Sequence, residues 1–316
     1  MKRIVVSGAS GRLGSKLSKK LSELGYSQIL LTSEIPNTKL PGAEYILCDW
    51  TNLALPSLFD VELVVHLAHQ TSAYVAKKNI EADITTNIIS TVRIVEAVRK
   101  SKTPPDFIYM GSLTEYGSRN SNPIKEDLEK DSVETFYDCS KLATELYLKQ
   151  FQNEGTLNNL TLIRLGNLYG FIDRNKVNHR GFFDKAIYSA YLGQELICFG
   201  DGNFLRDFIH IDDVINALIA FIESRGSSSN GKFNLASGMG YTIKDALSLI
   251  NSTLDTLGRP PVAIRHEIFP ESAYGIEKRN HIADISLIGN VIGWKPSITL
   301  SEGINRSLKY YIQNES

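Results

Sequence analysis

Tyr137 and Lys141 stand four residues apart in YDCSK, a spacing that sets a phenol and an ammonium on one face of a helix. A neighbouring ammonium favours the phenolate and lowers the tyrosine pKa, as proton transfer near neutral pH requires. Ser112 follows the apolar run Phe107–Met110, where its hydroxyl can hydrogen-bond an oxygen held beside Tyr137. Far upstream, Gly8, Gly11 and Gly14 are spaced G-x-x-G-x-x-G after the β-branched run Ile4–Val6. Glycine there allows the tight turn, the approach of backbone to a phosphate and close packing of the next helix. Unpaired N–H groups at that helix start, at the positive end of its dipole, suit a pyrophosphate. A dinucleotide turn followed by serine and Tyr-x-x-x-Lys points to hydride transfer coupled to proton transfer, the chemistry of a dehydrogenase.

The elements that must position these groups alternate. Ile4–Val6 reads as a strand and Ser15–Leu24 as a helix, followed by strands at Gln28–Leu31, Tyr45–Leu47 and Leu63–Leu67. Asn79–Lys100 has apolar residues at helical spacing (Ile80, Ile84, Ile88, Val92, Val95) and predicts one long helix whose stripe is core or subunit interface. Phe107–Met110 is a fifth strand, and Val133–Phe151 contains the helix carrying Tyr137 and Lys141. Such alternation predicts a doubly wound parallel α/β sheet, with ligands in the crevice beyond the carboxyl ends of its strands. The second half is less regular and richer in glycine and proline, which fits a smaller lobe covering the substrate.

Composition narrows the partners. Over 316 residues, 42% are hydrophobic and 22% charged, with a formal net charge of -1. These values are globular and give no electrostatic footprint for nucleic acid or an anionic membrane. Cys48, Cys139 and Cys198 are too scattered for a disulfide framework or a metal site. With a strand starting near Met1 and no long apolar run, no leader or membrane span is expected, and the location expected is cytoplasmic. Cys139 lies two positions from Tyr137, hence on another helix face, and reads as a packed thiol. His66 and His210 sit among apolar residues and read as structural.

The chain resembles the extended short-chain dehydrogenase/reductase family, in its nucleotide-sugar epimerase, reductase and dehydratase branch. The glycine turn is similar to that family's cofactor loop, and HLAHQ (His66–Gln70) to its H-L-A-A. GSLTEYG (Gly111–Gly117) resembles S-S-x-x-x-Y-G, and RLGNLYG (Arg164–Gly170) resembles R-x-x-N-x-Y-G-P with Phe171 in place of proline. GDGNFLRDFIHIDD (Gly200–Asp213) and LIGNVIGWKPSITLSEGI (Leu287–Ile304) resemble the family's remaining motifs, so the likeness runs nearly end to end.

The resemblance implies a Rossmann-type domain over 1–165 and about 205–236, with a smaller α/β substrate-binding lobe over about 166–204 and 237–316. It implies hydride exchange between a nicotinamide cofactor and a sugar carbon, usually C4, of a nucleoside-diphosphate sugar. Tyr137 moves the hydroxyl proton, Lys141 holds the nicotinamide ribose, and Ser112 polarises the carbonyl oxygen. Expected cofactor contacts are Gly8, Ser10, Gly11, Arg12, Leu13 and Gly14 in the turn and Thr32 and Ser33 after the second strand. To these it adds Asp49 and Trp50 after the third strand, Leu67, Ala68 and His69 after the fourth, and Tyr137 and Lys141. Asn167 is expected on the substrate, Arg206 and Arg279 on its diphosphate, and His179 and Arg180 at the start of the substrate loop. A homodimer is expected, built on the apolar helix stripe.

Departures from the family pattern refine this. Leu113 and Thr114 occupy the two positions where dehydratases carry Asp-Glu, and leucine cannot transfer a proton, so dehydration is not expected. Thr32 and Ser33 are neutral where NAD-preferring members carry an acid, and Arg12 lies within reach of a 2′-phosphate. The expectation is therefore NADP rather than NAD, and with it a 4-ketoreductase, with an NAD-retaining 4-epimerase as the alternative. A non-enzymatic dinucleotide sensor is disfavoured by Ser112, Tyr137 and Lys141 standing together.

Overall fold

A computed structural model describes residues 3–50, 55–118, 122–127, 133–170, 181–224 and 229–314. His179, Arg180 and Phe171, singled out above, lie outside the described residues. The first half runs β1 (Arg3–Ser7), α1 (Arg12–Glu23), β2 (Ser27–Thr32), β3 (Ala43–Leu47), β4 (Val61–His66), α2 (Ala73–Lys78), α3 (Ile80–Ile84), α4 (Ser90–Val98), β5 (Asp106–Ser112), α5 (Phe136–Asn153) and β6 (Leu160–Leu165). The second half runs β7 (Asn167–Tyr169), α6 (Phe182–Tyr191), β8 (Leu196–Phe199), β9 (Leu205–His210), α7 (Ile211–Glu223), β10 (Gly231–Leu235), β11 (Gly240–Thr242), α8 (Ile243–Thr256), β12 (Ile264–Glu267), α9 (Ser286–Ile292) and α10 (Leu300–Gln313).

Seven strands form one parallel sheet in the order β10-β6-β5-β4-β1-β2-β3. The order reverses between β1 and β4, where Ser7 registers against His66. That reversal opens the crevice in which such sheets bind ligands. Alternation along the strands feeds two cores. Ile4, Val6, Leu63 and Val65 pack toward α1 and α7, while Val5, Val64 and Phe107 pack against Ile94, Val98 and Leu148 of α4 and α5.

A three-stranded sheet (β11-β9-β7) and a two-stranded one (β12-β8) carry a third core, with Phe183, Ile187, Leu247, Leu254 and Leu308 around Tyr169. β9 pairs here rather than in the large sheet, whereas α7 packs back on α1 and β10 completes the large sheet. The closing motif works by contact. Gly303 lies so close under the Tyr169 ring that a Cβ would fall 2.1 Å from its hydroxyl. Trp294 donates through Nε1 to the Asp213 carbonyl oxygen at 3.1 Å. No described helix is long and apolar enough to cross a membrane.

The long helix expected over 79–100 is corrected. Asn79 caps α3 through its side chain, and Thr85–Ile89 form a π-turn between α3 and α4. The buried side of this segment is polar: Asp83, Asn87, Ser90 and Thr91 face inward, while Ile80, Ile84 and Ile89 are exposed. Hydrogen bonds explain the inversion. The Asn87 side-chain amide donates to Asp83 and to Ser140 of α5 at 3.0 and 2.9 Å, and the Asn87 backbone carbonyl oxygen accepts from Thr91 and Thr144 at 2.8 and 3.2 Å. π-turns commonly mark functional sites, and this one braces the helix that carries Lys141. Cys139 is also corrected, since it is exposed on the outer side of α5 rather than packed.

Candidate active site

The turn after β1 closes on itself. Gly11 donates to the Gly8 carbonyl oxygen at 2.8 Å and Ala9 to that of Leu31 at 3.1 Å. Gly8 takes a φ of +69°, and a Cβ there would meet the Ala68 backbone at 2.9 Å. At Gly14 a Cβ would lie 2.1 Å from the Gly8 carbonyl oxygen, so α1 can pack against the turn only through glycine. α1 starts at Gly11 without a side-chain cap, whereas α5, α8 and α10 are each capped by a threonine hydroxyl. The N–H groups of its first turn thus keep their capacity for an anion, and the residues present fit a dinucleotide pyrophosphate.

Ser7 and His66 tie β1 to β4 beneath this turn. The Ser7 hydroxyl meets His66 Nδ1 at 2.6 Å and accepts from the backbone N–H groups of Leu67 and Ala68. His66 Nε2 meets Thr91 at 2.8 Å, and burial lowers the ring pKa to about 3, so His66 is a structural, neutral histidine. His69 packs edge-on against His66 and Tyr109, and neither of its ring nitrogens has a partner among the described residues.

Ser112 ends β5 and opens a short 3₁₀ turn, Leu113–Tyr116, through a reciprocal cap with Glu115. The Ser112 N–H donates to Glu115 Oε1 at 2.6 Å, and its hydroxyl lies 2.9 Å from that of Thr114. α5 starts by the same logic, with Thr135 and Asp138 capping each other. That cap brings Tyr137 and Lys141 inward. Burial foremost, then the Glu115 charge, pushes the Tyr137 phenol up, while a hydrogen bond from Ser112 pulls it down. Lys141 lies wholly inside, donates to the Met110 carbonyl oxygen at 2.8 Å, and is lowered by burial to about 7. Its Nζ stands 5.9 Å from the centre of the Tyr137 ring. Serine, tyrosine and lysine, 29 residues of sequence apart at their extremes, therefore converge at the carboxyl end of β5.

Below them, Arg164 pairs with Glu145 (Nη2–Oε2 3.0 Å) and faces Glu115 (Nε–Oε2 3.4 Å), all three fully buried. Burial and the Glu145 carboxylate hold the Glu115 carboxyl well above the usual range. Asn167, at the start of β7, shares one cavity with Ser112, Thr114, Arg279 and His281.

The two arginines expected on a diphosphate differ. Arg206 donates to the carbonyl oxygens of Leu205, Glu277 and Arg279 at 3.0, 2.6 and 2.6 Å, so its fork holds the 277–279 loop. Arg279 lines the cavity itself. Arg12, expected near a 2′-phosphate, forms an ion pair with Asp184 of α6, and Asp184 also accepts from the Gly170 N–H at 2.9 Å. The Ser10 and Ser33 hydroxyls are 3.0 Å apart, and the Thr32 hydroxyl donates to the Glu34 carbonyl oxygen at 2.7 Å. His210 caps α7 by accepting from the Asp212 N–H, a structural role.

Several residues here escaped sequence reasoning. Asn87 and Ser140 were hidden inside helical patterns scored for apolar spacing, though an Asn amid isoleucines was the available signal. His281 follows an irregular stretch and belongs to none of the recognised motifs.

A profile described as the NAD dependent epimerase/dehydratase family matches residues 4–236. The chain is 27% identical over 323 residues to a UDP-glucose 4-epimerase of Mycolicibacterium smegmatis, covering 98% of each chain. It is similar to the UDP-glucose 4-epimerase of Thermotoga maritima solved with UDP-glucose, with a TM-score of 0.82, 25% identity, and 99% and 100% of the two chains covered. It shares the fold of the Bacillus cereus UDP-glucuronic acid 4-epimerase solved with UDP-glucuronic acid and NAD, with a TM-score of 0.83, 24% identity, and 98% and 99% covered.

Proposed function

Because the chain belongs to the NAD dependent epimerase/dehydratase family, we propose that it inverts C4 of a hexose carried on uridine diphosphate and keeps NAD throughout the cycle. The observation that carries this reading is the convergence of Ser112, Tyr137 and Lys141 beside a cavity whose dehydratase position is filled by the buried, apolar Leu113. With no acid or base at Leu113, elimination of water has no proton donor, and oxidation followed by reduction at one carbon remains.

Tyr137 accepts the C4 hydroxyl proton and later returns it. Its phenol is raised by burial, so the ionised form depends on Lys141 and on the hydrogen bond from Ser112. As the C4 oxygen gains carbonyl character, the Ser112 hydroxyl donates to it. The hydroxyl is held for this by the Glu115 cap on its own backbone N–H. Lys141, fixed by Met110, would hold the nicotinamide ribose hydroxyls. NAD, where bound, would supply the acceptor for the C4 hydride and the source of its return. The uncapped start of α1 and the turn Gly8–Gly14 would hold its pyrophosphate, with Leu67 and Ala68 alongside. Asn167 and Arg279 face the substrate, and inversion requires that the C4 keto sugar turn over between the two hydride transfers.

The expectations of NADP and of a 4-ketoreductase leaned on Arg12 and on the neutral pair Thr32 and Ser33. Arg12 is engaged by Asp184, and the three hydroxyls of Ser10, Thr32 and Ser33 are bonded locally. Together with the NAD in the Bacillus cereus structure, this favours NAD and the epimerase.

The test is to denature the purified chain, identify the dinucleotide released, and incubate fresh protein with UDP-glucose, UDP-N-acetylglucosamine or UDP-glucuronic acid without added cofactor. Near-stoichiometric NAD and a C4-epimer mixture are expected. An empty protein that prefers NADPH and reduces 4-keto nucleotide sugars would replace this reading with the ketoreductase.

A further inference from the structure

Glu115 is fully buried in the turn directly after β5, where a glutamate is rarely sealed unless it is paired. Its Oε1 accepts from the Ser112 N–H at 2.6 Å. Its Oε2 faces Arg164 Nε of β6 at 3.4 Å, and Arg164 in turn grips Glu145 of α5 through Nε and Nη2 at 3.1 and 3.0 Å. Glu145 stands one turn beyond Lys141 on the same helix. One polar bridge thus runs from the Ser112 backbone, by way of β6, to the helix of Tyr137 and Lys141. Gly111 makes the room for it. This glycine lies within β5 and has no positive φ, so its backbone does not call for glycine. A Cβ there would fall 2.6 Å from Glu115 Oε1 and 3.2 Å from the Ile163 carbonyl oxygen. The glycine and the carboxyl are therefore one packing arrangement. Glycine weakens a strand, and burial together with the Glu145 carboxylate disfavours the ionised form of Glu115. Both features cost stability beside the catalytic serine, as functional sites commonly do.

We propose that Glu115, admitted by Gly111, is a positioning residue: it fixes the Ser112 hydroxyl at the reacting oxygen by tying the serine backbone, through Arg164 and Glu145, to the helix that carries Tyr137. The inference rests on the assignment of Ser112 and Tyr137 to proton transfer at the sugar. The Ser112 Oγ accepts from the Thr114 N–H at 3.2 Å, so backbone and side chain of the serine are each held from within the turn. The Lys141–Met110 bond is a first tie between β5 and α5, and the Glu115 bridge is a second. Between them they hold the separation of serine and tyrosine. A donor aimed where charge develops accelerates only the step in which it develops, so its misplacement lowers the rate and spares ground-state binding.

The test is a mutant cycle read by steady-state turnover of the full chain with its retained dinucleotide. The reaction followed is C4 inversion of a UDP-sugar or, where the chain performs it instead, reduction of a 4-keto nucleotide sugar. Glu115→Ala should lower kcat about 10-fold and leave KM within about 2-fold, the mark of a donor misplaced only in the transition state. Glu115→Gln keeps an oxygen for the Ser112 N–H and should recover most of that loss. Gly111→Ala, whose methyl displaces the carboxyl, should cost as much as Glu115→Ala and add little to it. In a Ser112→Ala background, Glu115→Ala should cost no more than about 2-fold, since the group it positions is gone. Equal losses with and without the Ser112 hydroxyl would make Glu115 a residue of the fold alone and overturn the proposal, as would parental kcat in Glu115→Ala. Where Glu115→Ala fails to fold, Glu115→Asp, which withdraws the carboxylate but keeps its charge, is carried through the same cycle. Additive losses in an active epimerase refute the bridge and leave the epimerase standing. A non-additive cycle read on keto reduction does the reverse, and a chain that performs neither reaction refutes both.

Discussion

The Nζ of Lys141 donates to the carbonyl oxygen of Met110 at 2.8 Å, pinning the second turn of α5 to β5 two residues before Ser112. This bond sets the reach between the residues that hold and move the proton, and it buries an amine. Burial lowers the Lys141 pKa to about 7, while an unfolded lysine keeps its proton to about pH 10. Between those values the unfolded chain binds more protons than the folded one, so stability rises with pH across that window. The penalty is complete below pH 7. In cofactor-free protein, Lys141→Met should be more stable than the parent at pH 6, at about 1.4 kcal/mol for each unit of pKa relieved. That gap should close toward pH 10 in urea denaturation; a gap independent of pH would show that Lys141 is not held in this way.

Tyr137→Phe removes the proton carrier and little else. Turnover should fall by about 10³-fold, while the affinity for NAD, followed by calorimetry, stays within about 3-fold of the parent. Ser112→Ala should cost about 10²-fold or more, because a donor to the developing carbonyl and the hydrogen bond that lowers the Tyr137 phenol are lost together. Full turnover in Tyr137→Phe would move the chemistry elsewhere in the cleft.

What could be read from sequence was short-range. The glycine turn, Tyr-x-x-x-Lys and Ser112 are each defined within a few residues, and strand–helix alternation implied the parallel sheet and its crevice. Apolar spacing over Ile80, Ile84 and Ile88 indicated a helical segment with an apolar face, but not the π-turn at Thr85–Ile89 or the polar face that the segment buries through hydrogen bonds. Arg206 looked like a phosphate clamp until the 277–279 loop filled its fork. His281 pairs with the carbonyl oxygen of Gly117, 164 residues away in sequence, and no local pattern encodes such a contact.

Glu115 and Glu145 share one guanidinium, Arg164, in a fully buried cluster. Two carboxylates against one cation leave an excess negative charge, and burial together with the Glu145 carboxylate raises the Glu115 carboxyl well above its usual range. A carboxyl whose folded pKa is raised contributes most stability below its unfolded value, about 4.3, and loses it as pH rises through the folded one. Glu115→Gln mimics the protonated form and keeps an oxygen for the Ser112 N–H. Its stability should match the parent near pH 4 and exceed it increasingly toward pH 8 in denaturant titrations. A difference that does not grow with pH would mean Glu115 is ionised in the fold.

α3, the π-turn and α4 lie beside α5, and together they turn apolar side chains outward: Ile84 is 42% exposed and Leu146 58%, with Ile80, Ile89 and Tyr147 around them. Isolated exposed leucines are ordinary, but an apolar patch spread over two neighbouring helices marks an interaction surface. We propose that a second copy of the chain covers it, so that the helices carrying Lys141 and Asn87 are braced from outside as well as within. The chain should sediment as a dimer, and Ile84→Glu or Leu146→Glu should yield monomers, since each would bury a charge against its own symmetry mate. Tyr137 and Lys141 face the opposite side of α5, so the monomers should keep NAD and lose stability before they lose chemistry. A monomeric mass for the unaltered chain at micromolar concentration would leave this face without the partner proposed.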